Sequence, residues 1–192
     1  MDNKGISLIE VVVSLAILGI VVACVGTFLN VGMNTSTTAT NIASVQKEAQ
    51  IVQNQVQSWI MGTNKGIACY KDQTNFDYVA AIYHTGQNAS DQYVQLIYYR
   101  EKEQRLYYHK LMTDESTTGS LEDIINDANA IEAAADWESY LLSSFVTDIN
   151  LDTTQIENQV VSFTIDYAVK GKTYHVSNTI KLRNVVSTNP TE

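Results

Sequence analysis

The chain has 192 residues and a formal net charge of −9, with 12 Lys and Arg against 21 Asp and Glu. Its 45% hydrophobic content is too high for a disordered chain and suits one domain with a real core plus an appendage. The acidity argues against nucleic acid as a partner of the head, and two cysteines, Cys24 and Cys69, with three histidines build neither a disulfide scaffold nor a four-ligand zinc site.

The N-terminus carries the first element. No charged residue occurs from Val11 to Gln46, and Val11 to Val31 is dominated by Val, Ile, Leu, Ala and Gly. About 20 apolar residues cross a bilayer core of about 30 Å, so residues 6–30 are expected to form a transmembrane helix. Met1-Asp2-Asn3-Lys4-Gly5, residues 1–5, is a very short leader whose Lys4 and amino group favour a cytoplasmic start. Everything after the helix is then extracytoplasmic.

The charge at the edge of the apolar run is Glu10. Insertion scales assign an intramembrane carboxylate a cost of about 2.5–3.5 kcal/mol, so such a residue asks for a function. A secretory signal peptide has a shorter apolar stretch and no use for that carboxylate. A lipoprotein leader is a second alternative, because Val21-Val22-Ala23-Cys24 loosely matches the box before a lipidated cysteine. However, Val25, Phe28, Leu29, Val31 and Met33 follow where a polar linker belongs. Cys24 as a small apolar residue in a membrane helix is the plainer reading.

Lys4-Gly5-Ile6-Ser7-Leu8-Ile9-Glu10-Val11 resembles the cleavage and methylation motif of type IV prepilins and pseudopilins. In that family a short leader ends in Gly, a membrane peptidase cuts after it, and the new N-terminus is methylated. The fifth mature residue is Glu, and an apolar helix follows. The resemblance implies cleavage between Gly5 and Ile6, N-methylation of Ile6, and an assembly role for Glu10. It implies as partners other pilins or pseudopilins, the prepilin peptidase, a membrane assembly platform and the lipid bilayer. It also implies a single-pass cell-membrane protein before assembly and a cell-surface filament after it.

Two departures from the family pattern bear on the kind of subunit. Ile6 stands where Phe is commonest, and Thr27 holds the position where many major pilins carry a kinking Pro. The second departure favours a minor subunit. In a bundle of such helices an unpaired carboxylate is strongly unfavourable. The positive group at the same depth is the amine of Ile6, on the same or a neighbouring subunit, and only cleavage exposes it. Glu10 therefore reads as a register device.

Residues 31–62 are expected to continue the helix as an amphipathic segment. Ile42, Val45, Ala49, Val52, Val56 and Trp59 follow spacings of 3 and 4, an apolar stripe suited to packing on a sheet. Gly62 and Asn64 supply a stop, and the Thr/Ser-rich Asn34–Thr40 loosens the helix without breaking it. A coiled-coil dimer is the alternative, but the stripe covers too few heptads.

Strand signals fill the β-rich head, residues 63–187. Tyr78–His84 and Tyr93–Tyr99 flank a turn at Gly86–Asp91, and a charged tip at Arg100–Gln104 leads into Arg105–Leu111. The tyrosines among them (Tyr93, Tyr98, Tyr99, Tyr107, Tyr108) read as cross-strand packing before a binding surface. Leu121–Ala135 is expected to be helical with Ser120 as its cap, and Trp137–Leu142 to start a second short helix. From Leu111 to Val169 there are 12 Asp and Glu and no Lys or Arg. Asp114, Glu115, Asp148 and Asp152 there offer oxygen ligands for calcium, although no EF-hand spacing is present. A solvated acidic face is the plainer alternative, and no other cofactor is expected.

Val161, Phe163, Ile165, Tyr167 and Val169 alternate with smaller or polar residues, Lys170-Gly171-Lys172 turns, and Tyr174–Leu182 returns. This hairpin resembles the last strands of the J- and W-type minor pilins and pseudopilins, and residues 188–192 form a tail. His84, His109 and His175 sit on or beside strands, and no catalytic motif appears, so no enzyme is expected. The fold class is α+β, a long N-terminal helix packed on an antiparallel β-sheet head as in type IV pilins. The function expected is a minor pilin or pseudopilin of a pilus, type II secretion or DNA-uptake filament. A membrane- or lipid-anchored extracellular binding domain is the alternative.

Overall fold

A computed structural model describes residues 7–73, 76–86, 91–113, 119–133 and 137–186. Helix α1 runs unbroken over Leu8–Gly62. The chain divides into two compact units, Met1–Ala43 and Ser44–Glu192. Within the second unit follow β1 (Gly66–Gln73), β2 (Phe76–His84), β3 (Tyr93–Arg100), β4 (Arg105–Met112) and α2 (Leu121–Ala133). Then come β5 (Leu141–Ser143), β6 (Val146–Asp152), β7 (Val160–Val169) and β8 (Lys172–Lys181).

Among the described residues all strand pairs are antiparallel, and they form two sheets where the sequence suggested one: β1-β2-β3-β4-β5 and β6-β7-β8. The expected second helix is a single 3-10 turn at Trp137–Tyr140. Leu141 and Ser143 pair instead with Tyr107 and Leu106 on β4, since extending the sheet satisfies backbone groups that a short helix would leave open. The expected turn at Gly86–Asp91 and the helix end at Ala135 reach beyond the described residues, as does the tail at 188–192.

The five-stranded sheet is covered on both faces. On one, α1 buries Val45, Ala49, Val52, Val56 and Ile60. The stripe thus ends on Ile60 and not on Trp59, which is half-buried and stacks on Tyr108 of β4 with ring centroids 4.1 Å apart. The other face packs Val79, Ala81, Tyr83, Val94, Leu96, Tyr98 and Tyr107 against Ile124, Ala128 and Ile131 of α2. The tyrosines are therefore mainly packing residues, with Tyr98 directly opposite Tyr107. The three-stranded sheet turns its apolar residues inward, Val161, Phe163, Ile165, Tyr167 and Val169 on β7 alternating with more exposed ones.

Polar contacts fix these layers. The Thr63 hydroxyl donates to Tyr83 O at 2.8 Å, and the Asn64 amide exchanges two 2.7 Å bonds with the Thr85 backbone. Together they tie the end of α1 to the end of β2. Ser144 N–H, between β5 and β6, donates to Glu48 at 2.8 Å, and the Asn178 amide of β8 donates to Gln57 at 2.9 Å, joining both segments to α1. Ser120 and Asp123 form a capping box on α2, with Asp123 N–H on the Ser120 hydroxyl at 3.3 Å and Ser120 N–H on the Asp123 carboxylate at 3.1 Å.

Asp127 of α2 accepts from the Tyr98 hydroxyl at 2.7 Å and bonds His109 Nδ1 at 2.9 Å. Burial, with the Asp127 charge beside it, pushes the Tyr98 phenol well above its ordinary pKa. His175 similarly pairs with Asp166 across β7 and β8 at 2.7 Å. These are structural pairings, which accounts for two of the three histidines.

Gly119, just before α2, has φ +75°, and a Cβ there would lie 2.8 Å from Val94 Cγ2 and 3.1 Å from Tyr83 Cε1. Neither neighbour can move freely, because Tyr83 is held by its own hydroxyl, which donates to Gly119 O at 2.8 Å. Gly119→Ala is expected to lower head stability by about 1–3 kcal/mol, through left-handed strain plus overpacking. A urea melt that matches the parent would contradict this.

His84, the third histidine, is buried between Gln95, 2.8 Å from its Nε2, and the Tyr93 ring stacked at 4.6 Å. Desolvation lowers its pKa, against hydrogen bonds from the ring to the Gln95 side-chain oxygen and the Gly62 carbonyl that raise it; the nearby Lys110 charge lowers it further. The folded chain then holds its proton less tightly than the unfolded one, whose His titrates near about 6.5. The stabilising contribution is complete above that value and is lost as pH falls through it, levelling off below the folded pKa. Unfolding free energies at about pH 7.5 and about pH 5 should differ less in His84→Gln than in the parent. Equal differences in the two chains would contradict the assignment.

Candidate functional site

The described residues of the first unit belong to α1, apart from Ser7 before it. Every residue from 7 to 37 is exposed within the chain, with Leu8 at 85% and Phe28 at 79%. So much unbroken apolar surface in water would be strongly unfavourable, and it marks a membrane or protein contact. This is the one helix among the described residues long and apolar enough to cross a membrane. An apolar surface on all sides is what a lipid-facing or bundle-core helix requires.

The helix stays intact where its sequence is weakest. The Thr27 hydroxyl donates to Ala23 O and Cys24 O at 2.9 Å, so this position, unlike a Pro, adds hydrogen bonds to the helix. Thr37, Thr38 and Thr40 spend their hydroxyls on the carbonyls of Met33, Asn34 and Ser36 at 2.8, 2.8 and 3.0 Å. Such back-bonding hides hydroxyls inside a helix and lets a Thr-rich stretch continue it. Cys24 lies exposed on this helix as a free thiol.

Glu10 sits in the first turn of α1. Its N–H donates to Ser7 O at 3.0 Å, and the Ser14 hydroxyl donates to Glu10 O at 2.7 Å. The positive end of the helix dipole favours a carboxylate at this position. Among the described residues no cation pairs with it. Gly5 and Ile6, the sequence-predicted cleavage and methylation positions, lie outside the described residues. Ile6 stands four positions before Glu10, the spacing that places two residues on one side of a helix.

Two of the calcium candidates, Asp148 and Asp152, fall among the described residues. Asp148 and Asp152 lie four residues apart on β6, Asp148 accepting from Ile149 N–H at 2.9 Å and Asp152 from Thr154 N–H at 2.9 Å. Asp114 and Glu115 fall outside the described residues, and no group of three His, Cys, Asp or Glu converges among those that are described. Cys69, on β1, is half-buried, and desolvation raises its thiol pKa away from the reactive range.

Residues 1–23 match the family model of the prokaryotic N-terminal methylation motif. No curated protein and no solved structure shows a significant match to the chain. The matched motif marks structural pilin-type subunits, which are processed by a prepilin peptidase and associate with other pilins. The motif ends inside the exposed apolar helix, and the two together make the N-terminal part of this chain type IV prepilin-like.

Proposed function

We propose that the chain is a minor pilin or pseudopilin, a structural subunit that joins a type IV pilus-like filament after its leader is removed between Gly5 and Ile6. The observation that carries this reading is the exposed apolar helix with a carboxylate in its first turn. Before assembly, lipid covers the helix and Glu10 stays near one membrane face. After assembly, neighbouring helices replace lipid, and the freed Ile6 amine of the same or an adjacent subunit neutralises Glu10. A subunit inserted at the wrong height leaves both charges unpaired, a loss of about 3–5 kcal/mol for a buried pair. The hydrogen-bonded Thr27 and the J/W-like hairpin favour a minor over a bulk subunit, one that primes assembly or sits near the tip.

The test is a blocked junction. Gly5→Asp is expected to leave the precursor uncut in the membrane and absent from sheared surface filaments. A Gly5→Asp chain that still enters filaments would overturn the proposal.

A further inference from the structure

The three-stranded sheet has two edges that differ in kind. On β6, Leu151 N–H donates to the Tyr78 hydroxyl at 2.9 Å, and at its start Phe145 and Val146 N–H donate to Gln104 O at 3.2 and 3.1 Å. That edge is taken up by the five-stranded sheet. β8 is the opposite edge. It pairs with β7 in unbroken register from Val160↔Lys181 to Val169↔Lys172. Among the described residues, no other backbone hydrogen bond reaches Lys172–Lys181. No Pro, Gly or bulge interrupts it. An edge of this length presents a row of unpaired N–H and C=O groups, a template for another strand.

The unpaired charge on that edge is of one sign, the Asp166 carboxylate beside it on β7 being bonded to His175 at 2.7 Å. Lys170, Lys172, Lys181 and Arg183 are exposed, and none forms an ion pair with a described residue. From Tyr167 to Thr191 there is no Asp or Glu, in a chain that is otherwise strongly acidic. Two copies joined antiparallel along β8 would set the Lys170–Lys172 end of each against the Lys181–Arg183 end of the other. Like charges facing across strands are destabilising, so self-pairing is disfavoured at both ends of the edge. Lys172 and Lys181 also stand about 30 Å apart along the strand, a spacing that a lipid headgroup cannot bridge and an extended chain can.

We propose that β8 is a docking edge for an extended acidic segment of another protein, which adds to the sheet as a fourth strand. Main-chain hydrogen bonds supply the affinity common to strand addition, and the basic ends select an acidic partner over a neutral or basic one. The same lysines that deter self-association therefore act as the specificity element. This surface does not depend on how the N-terminus is processed.

The test uses the full chain in detergent micelles and peptides of about ten residues, alternating Thr and Val with Glu near both ends. The acidic peptide is expected to bind and to slow amide exchange along Lys172–Lys181. Its affinity should fall about tenfold between about 0.05 and about 0.3 M salt. Lys172→Glu combined with Lys181→Glu, checked for an unchanged near-ultraviolet spectrum, should weaken it by about tenfold or more. The same peptide N-methylated on alternate amides keeps its charge but should not bind. Four results would overturn the proposal. They are no binding, equal binding of the N-methylated peptide, equal binding to the charge-reversed variant, and dimers formed through β8 without peptide. Lysine-dependent capture of phosphatidylglycerol and phosphatidylcholine vesicles in place of the peptide would also overturn it and assign the patch to lipid.

Discussion

Val52→Asp is expected to unfold the head. Val52 has no exposed surface and lies in the middle of the buried stripe formed with Val45, Ala49, Val56 and Ile60. The substitution forfeits about 1.5–3 kcal/mol of apolar burial and forces a carboxylate into the same space, where it has no partner. Together these approach the whole stability of an ordinary domain, about 5–15 kcal/mol. The neighbouring Ile51 is 49% exposed. Ile51→Asp should therefore shift stability by only about 0.5 kcal/mol, and the pair of variants separates packing from a general effect of charge on the helix. A melting temperature unchanged by Val52→Asp would mean that the helix does not build the core of the head.

Glu10→Ala or Glu10→Val is expected to leave membrane insertion and leader cleavage intact while sharply reducing incorporation into filaments. Insertion gains from losing a carboxylate, by up to about 3 kcal/mol on insertion scales. Assembly loses the only proposed partner of the Ile6 amine, leaving a buried positive charge at a cost of about 3–5 kcal/mol. The opposite signs of the two effects give the test its force. Membrane fractionation and sheared-surface fractions measured on the same cells report them separately. Wild-type levels of the Glu10→Val chain in the surface fraction would end the register role.

Much of this architecture can be read from the sequence where one physical constraint dominates. The apolar run from Val11 to Val31 reads as a helix outside water because no charged residue interrupts its faces, and α1 covers it. The alternation on β7 is legible because only one of its faces is buried, and the Lys170-Gly171 turn shows the two positive φ values, +48° and +76°, that a tight hairpin requires. β2 reads as a strand through its aromatic and β-branched residues, since both its faces are buried.

Other elements escape for equally physical reasons. β6 resembles an acidic loop because a bulge between Val146 and Asp148 breaks its period, so the inward residues are Val146, Ile149 and Leu151. β1 is a mixed edge strand with no periodic signal, and β5 exists only because β4 offers it an edge. The stripe on α1 misassigns its last position because Trp59 is amphipathic and stacks at the margin while Ile60 fills the core. The partition of strands into two sheets is a matter of partners, which periodicity does not encode. At the N-terminus the methylation motif is legible as a resemblance, matched over residues 1–23, whereas the proposed partner of Glu10 forms only after cleavage and lies on the same or a neighbouring subunit.

The measurement that tests the central claim most directly is the mass of the mature chain with sequencing of its N-terminal peptide. The account predicts a chain that begins at N-methylated Ile6, with Met1–Gly5 removed and Cys24 unmodified. Methylation leaves the amine basic, so a positive charge remains available to Glu10, with one hydrogen-bond donor fewer to bury. A chain that begins at Cys24 and carries diacylglycerol would contradict the account, as would one that retains Met1.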